Sequence, residues 1–129
     1  MFDQLDFIYT PSSDPAADLA YFRDVLGAEV VFAVEAGEER VAAVRLDADG
    51  PLVLFAGHLE GERPFLIYRV ENLEAALDEL ELRGWRRDEV FEIPHGPCCT
   101  FDTPGGHRVG LYELARPGAA EHFAGRADF

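Results

Sequence analysis

The chain has 129 residues, 48% hydrophobic and 28% charged, which suits one globular domain spanning 1–129 with a core that needs neither disulfide nor structural metal. All 11 basic residues are arginine, against 25 acidic ones, so the formal net charge is -14, a field that repels phosphate backbones and anionic membranes and disfavours nucleic acid as a partner. No apolar run approaches the roughly 18 residues of a membrane span, and "MFDQLDFIYTPSSD" has no basic segment followed by an apolar one, so the expectation is a cytoplasmic protein.

The first predicted element is a strand, "QLDFIYT", ending at Pro11. A helix follows over "SSDPAADLAYFRDVLGAE", with Ser13 or Asp14 as N-cap, Pro15 at the first helical position and Gly27 as the stop. Its expected apolar stripe is Leu19, Phe22, Val25 and Leu26. "EVVFAVEAG", "ERVAAVRLDADG" and "PLVLFAGH" read as three strands separated by glycine-containing turns. After "LEGER" the order returns: strand "PFLIYRV", a helix from Asn72 to Gly84, then strands "WRRDEVFEIP", "PCCTFD" and "HRVGLYEL". Module one covers 4–58 and module two 62–114, each β-α-β-β-β, with a tail over 115–129.

The repeat holds position by position. Asp14 and Asn72 are 58 residues apart, as are Phe7 and Phe65; Gly27 and Gly84 are 57 apart; Leu54 and Gly110, the middles of the fourth strands, are 56 apart. Cys98 and Cys99 are neighbours on a strand, so they point to opposite faces and do not bridge, which fits a reducing compartment.

Two tandem modules opened by "LDFIYTPSSDPAADLAYFRDVLG" and "YRVENLEAALDELELRGW" and closed by "DTPGGHRVGLYEL" resemble the vicinal oxygen chelate superfamily, which includes glyoxalase I, extradiol dioxygenases and the bleomycin and fosfomycin resistance proteins. The resemblance implies an α+β fold, with two tandem βαβββ modules forming curled mixed sheets around a cavity, and a divalent metal held by His or Glu from the first and fourth strands of each module. In this sequence those positions are Phe7, Leu54, Phe65 and Gly110, none of which ligates through its side chain. The expectation is therefore the fold without the metal, and no cofactor. The family's habit of pairing modules between chains, with the open sheet edges of a small chain, implies a homodimer. The tail is then expected across the partner or over the cavity mouth, the alternative being that it folds back on its own chain.

If those positions face inward, alternation puts Leu5, Phe7 and Tyr9 inside on the first strand and Leu52, Leu54 and Ala56 on the fourth. Phe65, Ile67 and Arg69 follow on the fifth, and Arg108, Gly110 and Tyr112 on the eighth, where Gly110 makes room. Phe7, Tyr9, Leu54, Phe65, Ile67, Arg69, Arg108, Gly110 and Tyr112 are the candidate ligand-binding residues, suited to a small organic molecule whose anionic or carbonyl edge a guanidinium grips. The alternative is that the aromatics fill a core and the arginines pair with carboxylates. Candidates for catalysis are His58, at the end of the fourth strand, with Glu92 and His95; His95 with Cys98 or His107 is the candidate for a relocated metal site. His107 reads as a turn residue and His95 as an exposed loop residue. Two functions follow: a metal-independent binding protein of the bleomycin-resistance type, or a lyase, isomerase or dioxygenase with a displaced metal site or metal-free acid-base catalysis.

Overall fold

The computed structural model describes residues 2–129. Each module opens with a strand that leads into a capped helix. β1 (Gln4–Pro11) passes to α1 (Pro15–Asp24), where the Asp14 side chain accepts from the Ala17 amide at 3.1 Å and Pro15 fills a first-turn position that needs no N–H. β5 (Phe65–Val70) passes to α2 (Leu73–Leu82), capped in the same way by Asn72 on the Ala75 amide at 2.9 Å. Three strands follow each helix: β2 (Glu29–Ala36), β3 (Glu39–Arg45) and β4 (Leu52–Ala56) in the first module, β6 (Val90–Ile93), β7 (Gly96–Asp102) and β8 (Arg108–Glu113) in the second.

The eight strands form one mixed sheet in the order β2-β3-β4-β1-β5-β8-β7-β6. Within a module the first strand runs parallel to the fourth; between modules β1 and β5 pair antiparallel. Ile8 lies opposite Leu66, flanked by Phe7 opposite Ile67 and Tyr9 opposite Phe65. A 58-residue shift exchanges those flanking pairs, so the sequence repeat is a local two-fold axis through Ile8 and Leu66. Tyr9 faces Leu54 on β4 while Ile67 faces Gly110 on β8, which makes Leu54 and Gly110 equivalent too.

Both helices cover one face. Leu19 and Phe22 of α1 pack with Ala42, Val44 and Phe55; Leu73 and Leu77 of α2 pack with Val70, Cys99 and Leu111. Val25 and Leu26, expected in the α1 stripe, lie beyond the helix end and are 63% and 46% exposed. The expected strand over "WRRDEVFEIP" shortens to β6 because its first half docks elsewhere: Arg87 reaches Glu74, Asp78 and Glu81 of α2, and the Trp85 ring packs on Phe101 of β7 at 5.4 Å. Cys98 and Cys99 are both free and buried, on opposite faces. Among the described residues no helix is long and apolar enough to cross a membrane.

The tail folds back on its own chain. It leaves β8 beside the β6–β7 turn, where the Ala115 and Arg116 amides both donate to the His95 carbonyl, and forms a 3-10 helix over Pro117–His122. The Phe123 ring then meets Phe32, and Ala127 bridges to Ala33 on the outer edge of β2, with amide bonds in both directions at 2.7 Å. Phe129 ends in the α1 cluster, under the Arg40 guanidinium. Phe32 lies opposite Ala43, and Ala43 opposite Leu54 and hence Tyr9, so the tail crosses the face that the helices leave open.

Candidate functional site

The open face carries all nine candidate ligand-binding residues. Leu54, Tyr9, Phe65 and Arg108 form one row across four strands; Leu52, Phe7, Ile67 and Gly110 form the next; Arg69 and Tyr112 face each other in a third. Leu54, Gly110 and Tyr112 are buried and the others half-buried. Leu5 is the exception to the expected alternation. The ladder slips between Leu5 and Phe7, so Leu5 sits opposite Tyr68 on the helix face and Asp6 turns to the open face in its place. The sequence carried a signal for this, because strict alternation aims the Asp6 carboxylate at the helix-side core, where an unpaired charge is costly.

Asp6 organises one end of the face. The Arg69 Nε donates to it at 2.8 Å, the Tyr112 hydroxyl donates to the same oxygen, and Tyr112 is 1% exposed. Burial by itself would raise the Asp6 carboxyl, but the hydrogen bonds from Arg69, Tyr112 and Gln4 outweigh it and hold the group below the ordinary carboxylate value. Burial and the Asp6 charge both push the Tyr112 phenol upward, so it stays a proton donor. The His95 ring closes this end over Phe7 at 5.3 Å and Tyr112 at 6.1 Å. His95 is thus half-buried rather than an exposed loop residue, and burial lowers its basicity. Gly96 makes the closure geometrically possible: its φ is 153°, and a Cβ there would lie 2.0 Å from the Glu113 carbonyl oxygen.

The other end is open. The Tyr9 hydroxyl lies 3.1 Å from His58 Nε2, and His58 Nδ1 lies 3.7 Å from a Glu39 carboxylate oxygen. Desolvation, then the Glu39 charge, raises the Tyr9 phenol, so Tyr9 keeps its proton, and the imidazole tautomer sets whether it donates to His58 Nε2 or accepts from it. A phenol, an imidazole and a carboxylate thus stand in line at this end, an arrangement that can take a proton from a bound molecule. Nothing in the sequence pointed to Glu39, which only the β2–β3 hairpin brings beside the end of β4.

The remaining candidates are engaged elsewhere. Glu92 is exposed and ion-paired to Arg116 at 2.5 Å. Arg108 donates from Nη1 and Nη2 to the carbonyls of Glu60 and Arg63 and lies 4.1 Å over the Phe65 ring. Cys98 is 1% exposed and its thiol is pushed up to about 12 by burial, which leaves it no thiolate for nucleophilic work. The surface carries two open hollows, one of about 290 Å³ at Arg63, Pro64, Leu66, His107 and Arg108 and one of about 370 Å³ under the tail at Pro94, Arg116, Gly118, Ala119, His122 and Phe123.

Comparison with solved structures identifies the architecture. Methylmalonyl-CoA epimerase from Mycobacterium tuberculosis superposes with a TM-score of 0.73 at 19% identity, over 92% of this chain and 93% of that one. The enzyme of that name from Streptomyces coelicolor, a variant in complex with 2-nitronate-propionyl-CoA, gives 0.64 at 19% identity over 90% and 100%. A catechol 2,3-dioxygenase gives 0.65 at 17% identity, covering 87% of this chain but 40% of that one. This chain has the vicinal oxygen chelate fold. At these identities the likeness carries the fold and not the activity. No protein-family model matches the sequence, and no curated protein does.

The fold family's divalent metal does not fit the residues present. Phe7, Leu54, Phe65 and Gly110 offer no side-chain donor, and a Cβ on Gly110 would lie 3.3 Å from both Ile67 Cγ1 and Thr100 Cγ2. Gly110 thus opens less room than alternation suggested, since any side chain there needs Ile67 and Thr100 to shift by a few tenths of an ångström. Among the described residues no three of His, Cys, Asp and Glu gather in a metal-binding group, so His95, Cys98 and His107 form no relocated site.

Proposed function

We propose that this protein binds a small apolar or aromatic organic molecule on its open face without a metal ion. The observation that carries the reading is the character of the four family ligand positions: three apolar side chains and a glycine whose missing Cβ space is taken by Ile67 and Thr100. Half-buried Phe7, Phe65 and Ile67 supply an apolar floor, and Tyr9 backed by His58 supplies a polar anchor beside it. The free cysteines favour a reducing, cytoplasmic setting.

The test is ligand-observed NMR of the purified chain against a library of small aromatic compounds, with and without EDTA, alongside elemental analysis. Binding that survives EDTA and is lost in Leu54→Glu supports the reading. Stoichiometric zinc, nickel, manganese or iron in the active protein overturns it.

A second reading rests on the Tyr9, His58 and Glu39 chain: metal-free proton transfer, with His58 as base and Tyr9 as donor, in a lyase or isomerase reaction. Exchange of a carbon-bound proton of the bound compound in D2O, abolished by His58→Ala, would favour it. Homodimerisation is proposed through β6, the outermost strand of module two, where Val90 and Phe91 are 38% and 40% exposed and no strand among the described residues pairs the outer edge. Light scattering that returns the 14.3 kDa of a single chain rejects the dimer.

A further inference from the structure

With 25 acidic residues available to 11 arginines, a guanidinium without a carboxylate partner is the unusual state in this chain. Seven arginines lie within ion-pair distance of a carboxylate, which leaves Arg45, Arg63, Arg86 and Arg108. Two of these stand together. Arg63 and Arg108, with His107, line the hollow of about 290 Å³ at the N-terminal ends of β5 and β8, and its other walls are Pro64 and Leu66. No carboxylate lines it, although Asp102 lies opposite Arg108 in the β7–β8 ladder.

The two guanidiniums are fixed by neutral partners. Arg108 donates to the Glu60 carbonyl at 2.8 Å and to the Arg63 carbonyl, and its Nε is buried with no partner. Arg63 donates from Nη1 to the Gly105 carbonyl at 2.7 Å and makes no other side-chain hydrogen bond among the described residues. Backbone carbonyls orient these groups, no carboxylate lies within ion-pair distance of either among the described residues, and two like charges on one hollow repel. An anion in the hollow removes that cost, and the free edge of the Arg63 fork with the His107 ring supplies its donors.

We propose that this hollow binds a phosphate-type dianion carried by a small organic ligand. Neither Tyr9 nor His58 lines the hollow, and the proposal does not depend on the open-face reading. The net charge of -14 repels any free anion, so saturable binding requires a local cluster strong enough to win against it.

The experiment is titration of the full chain with inorganic phosphate at fixed ionic strength, chloride as the balancing ion, followed by 31P NMR and calorimetry. The expected result is one saturable site that Arg63→Gln and His107→Gln each weaken, the first by about tenfold. Arg86→Gln, which makes the same change in net charge at an exposed position, is expected to leave it within about twofold. Arg63→Lys keeps the charge and loses the fork, so it should fall between, and it carries the test if Arg63→Gln proves poorly folded by circular dichroism. Tyr9→Phe should bind phosphate normally whether or not the open face binds its own ligand. Absence of saturation, equal weakening by Arg86→Gln and Arg63→Gln, or acetate binding as tightly as phosphate would each overturn the proposal.

Discussion

The two ends of β1 carry two polar clusters built from similar parts, and burial separates their roles. At one end the Asp6 carboxylate, 10% exposed, is bonded by Arg69 and Tyr112 and roofed by His95. At the other, the His58 side chain is 36% exposed, touches Tyr9 and meets Glu39 at 3.7 Å. The Asp6 cluster is closed and its acceptors are taken, so its chemistry is spent on holding two modules together across the β1–β5 seam. The Tyr9 cluster has a donor, an acceptor and an approach from solvent. A polar group on a sheet face is a candidate for function where its partners leave something unused.

Substitutions should separate the ends by what they change. The largest effect is expected from Gly96→Ala: a Cβ 2.0 Å from the Glu113 carbonyl forces the β6–β7 turn away and lifts His95 off Phe7 and Tyr112, at about 3 kcal/mol or more, read as a shifted midpoint in urea denaturation. An unchanged midpoint would mean that this end is not closed. Asp6→Ala leaves the buried Tyr112 hydroxyl without its acceptor; with Arg69 partly exposed, the expected loss is about 2 kcal/mol by the same measurement. Gly110→Ala presses on Ile67 and Thr100 at 3.3 Å and should cost about 1 kcal/mol.

The pH dependence sharpens the same contrast. His95 and Asp6 both titrate below their ordinary values in the folded chain, so the unfolded chain binds protons first as pH falls. Stability is therefore expected to decline in two stages, one beginning near the ordinary histidine value of 6.5 and one near the carboxylate value of 3.8. His95→Gln should remove the first stage and Asp6→Asn should reduce the second, to which Asp24 and Asp128, also held below the carboxylate value, contribute the remainder. Tyr9→Phe is expected to change stability by less than about 0.5 kcal/mol while weakening ligand binding, and a large stability loss would make the Tyr9 cluster structural as well.

Local chemistry determined much of this protein. Asp14, Pro15 and Asn72 start their helices within a turn of their own positions, and the 58-residue repeat is a correspondence of residue types along the chain, so both were legible in the sequence. Alternation likewise put Phe7, Tyr9, Leu54, Phe65 and Gly110 on one face, because a strand fixes side-chain direction by itself. What needed the folded molecule was everything that depends on partners far along the chain. The slip at Asp6 belongs to a ladder between residues sixty or more apart, and it replaces Leu5 with a carboxylate. Arg87 leaves the sheet for α2, Glu39 arrives beside His58, and the tail returns to β2 through Ala33 and Ala127. Strand pattern records which way a side chain points; which charge, ring or backbone it meets there is set by where distant segments dock, and only the tertiary structure decided that.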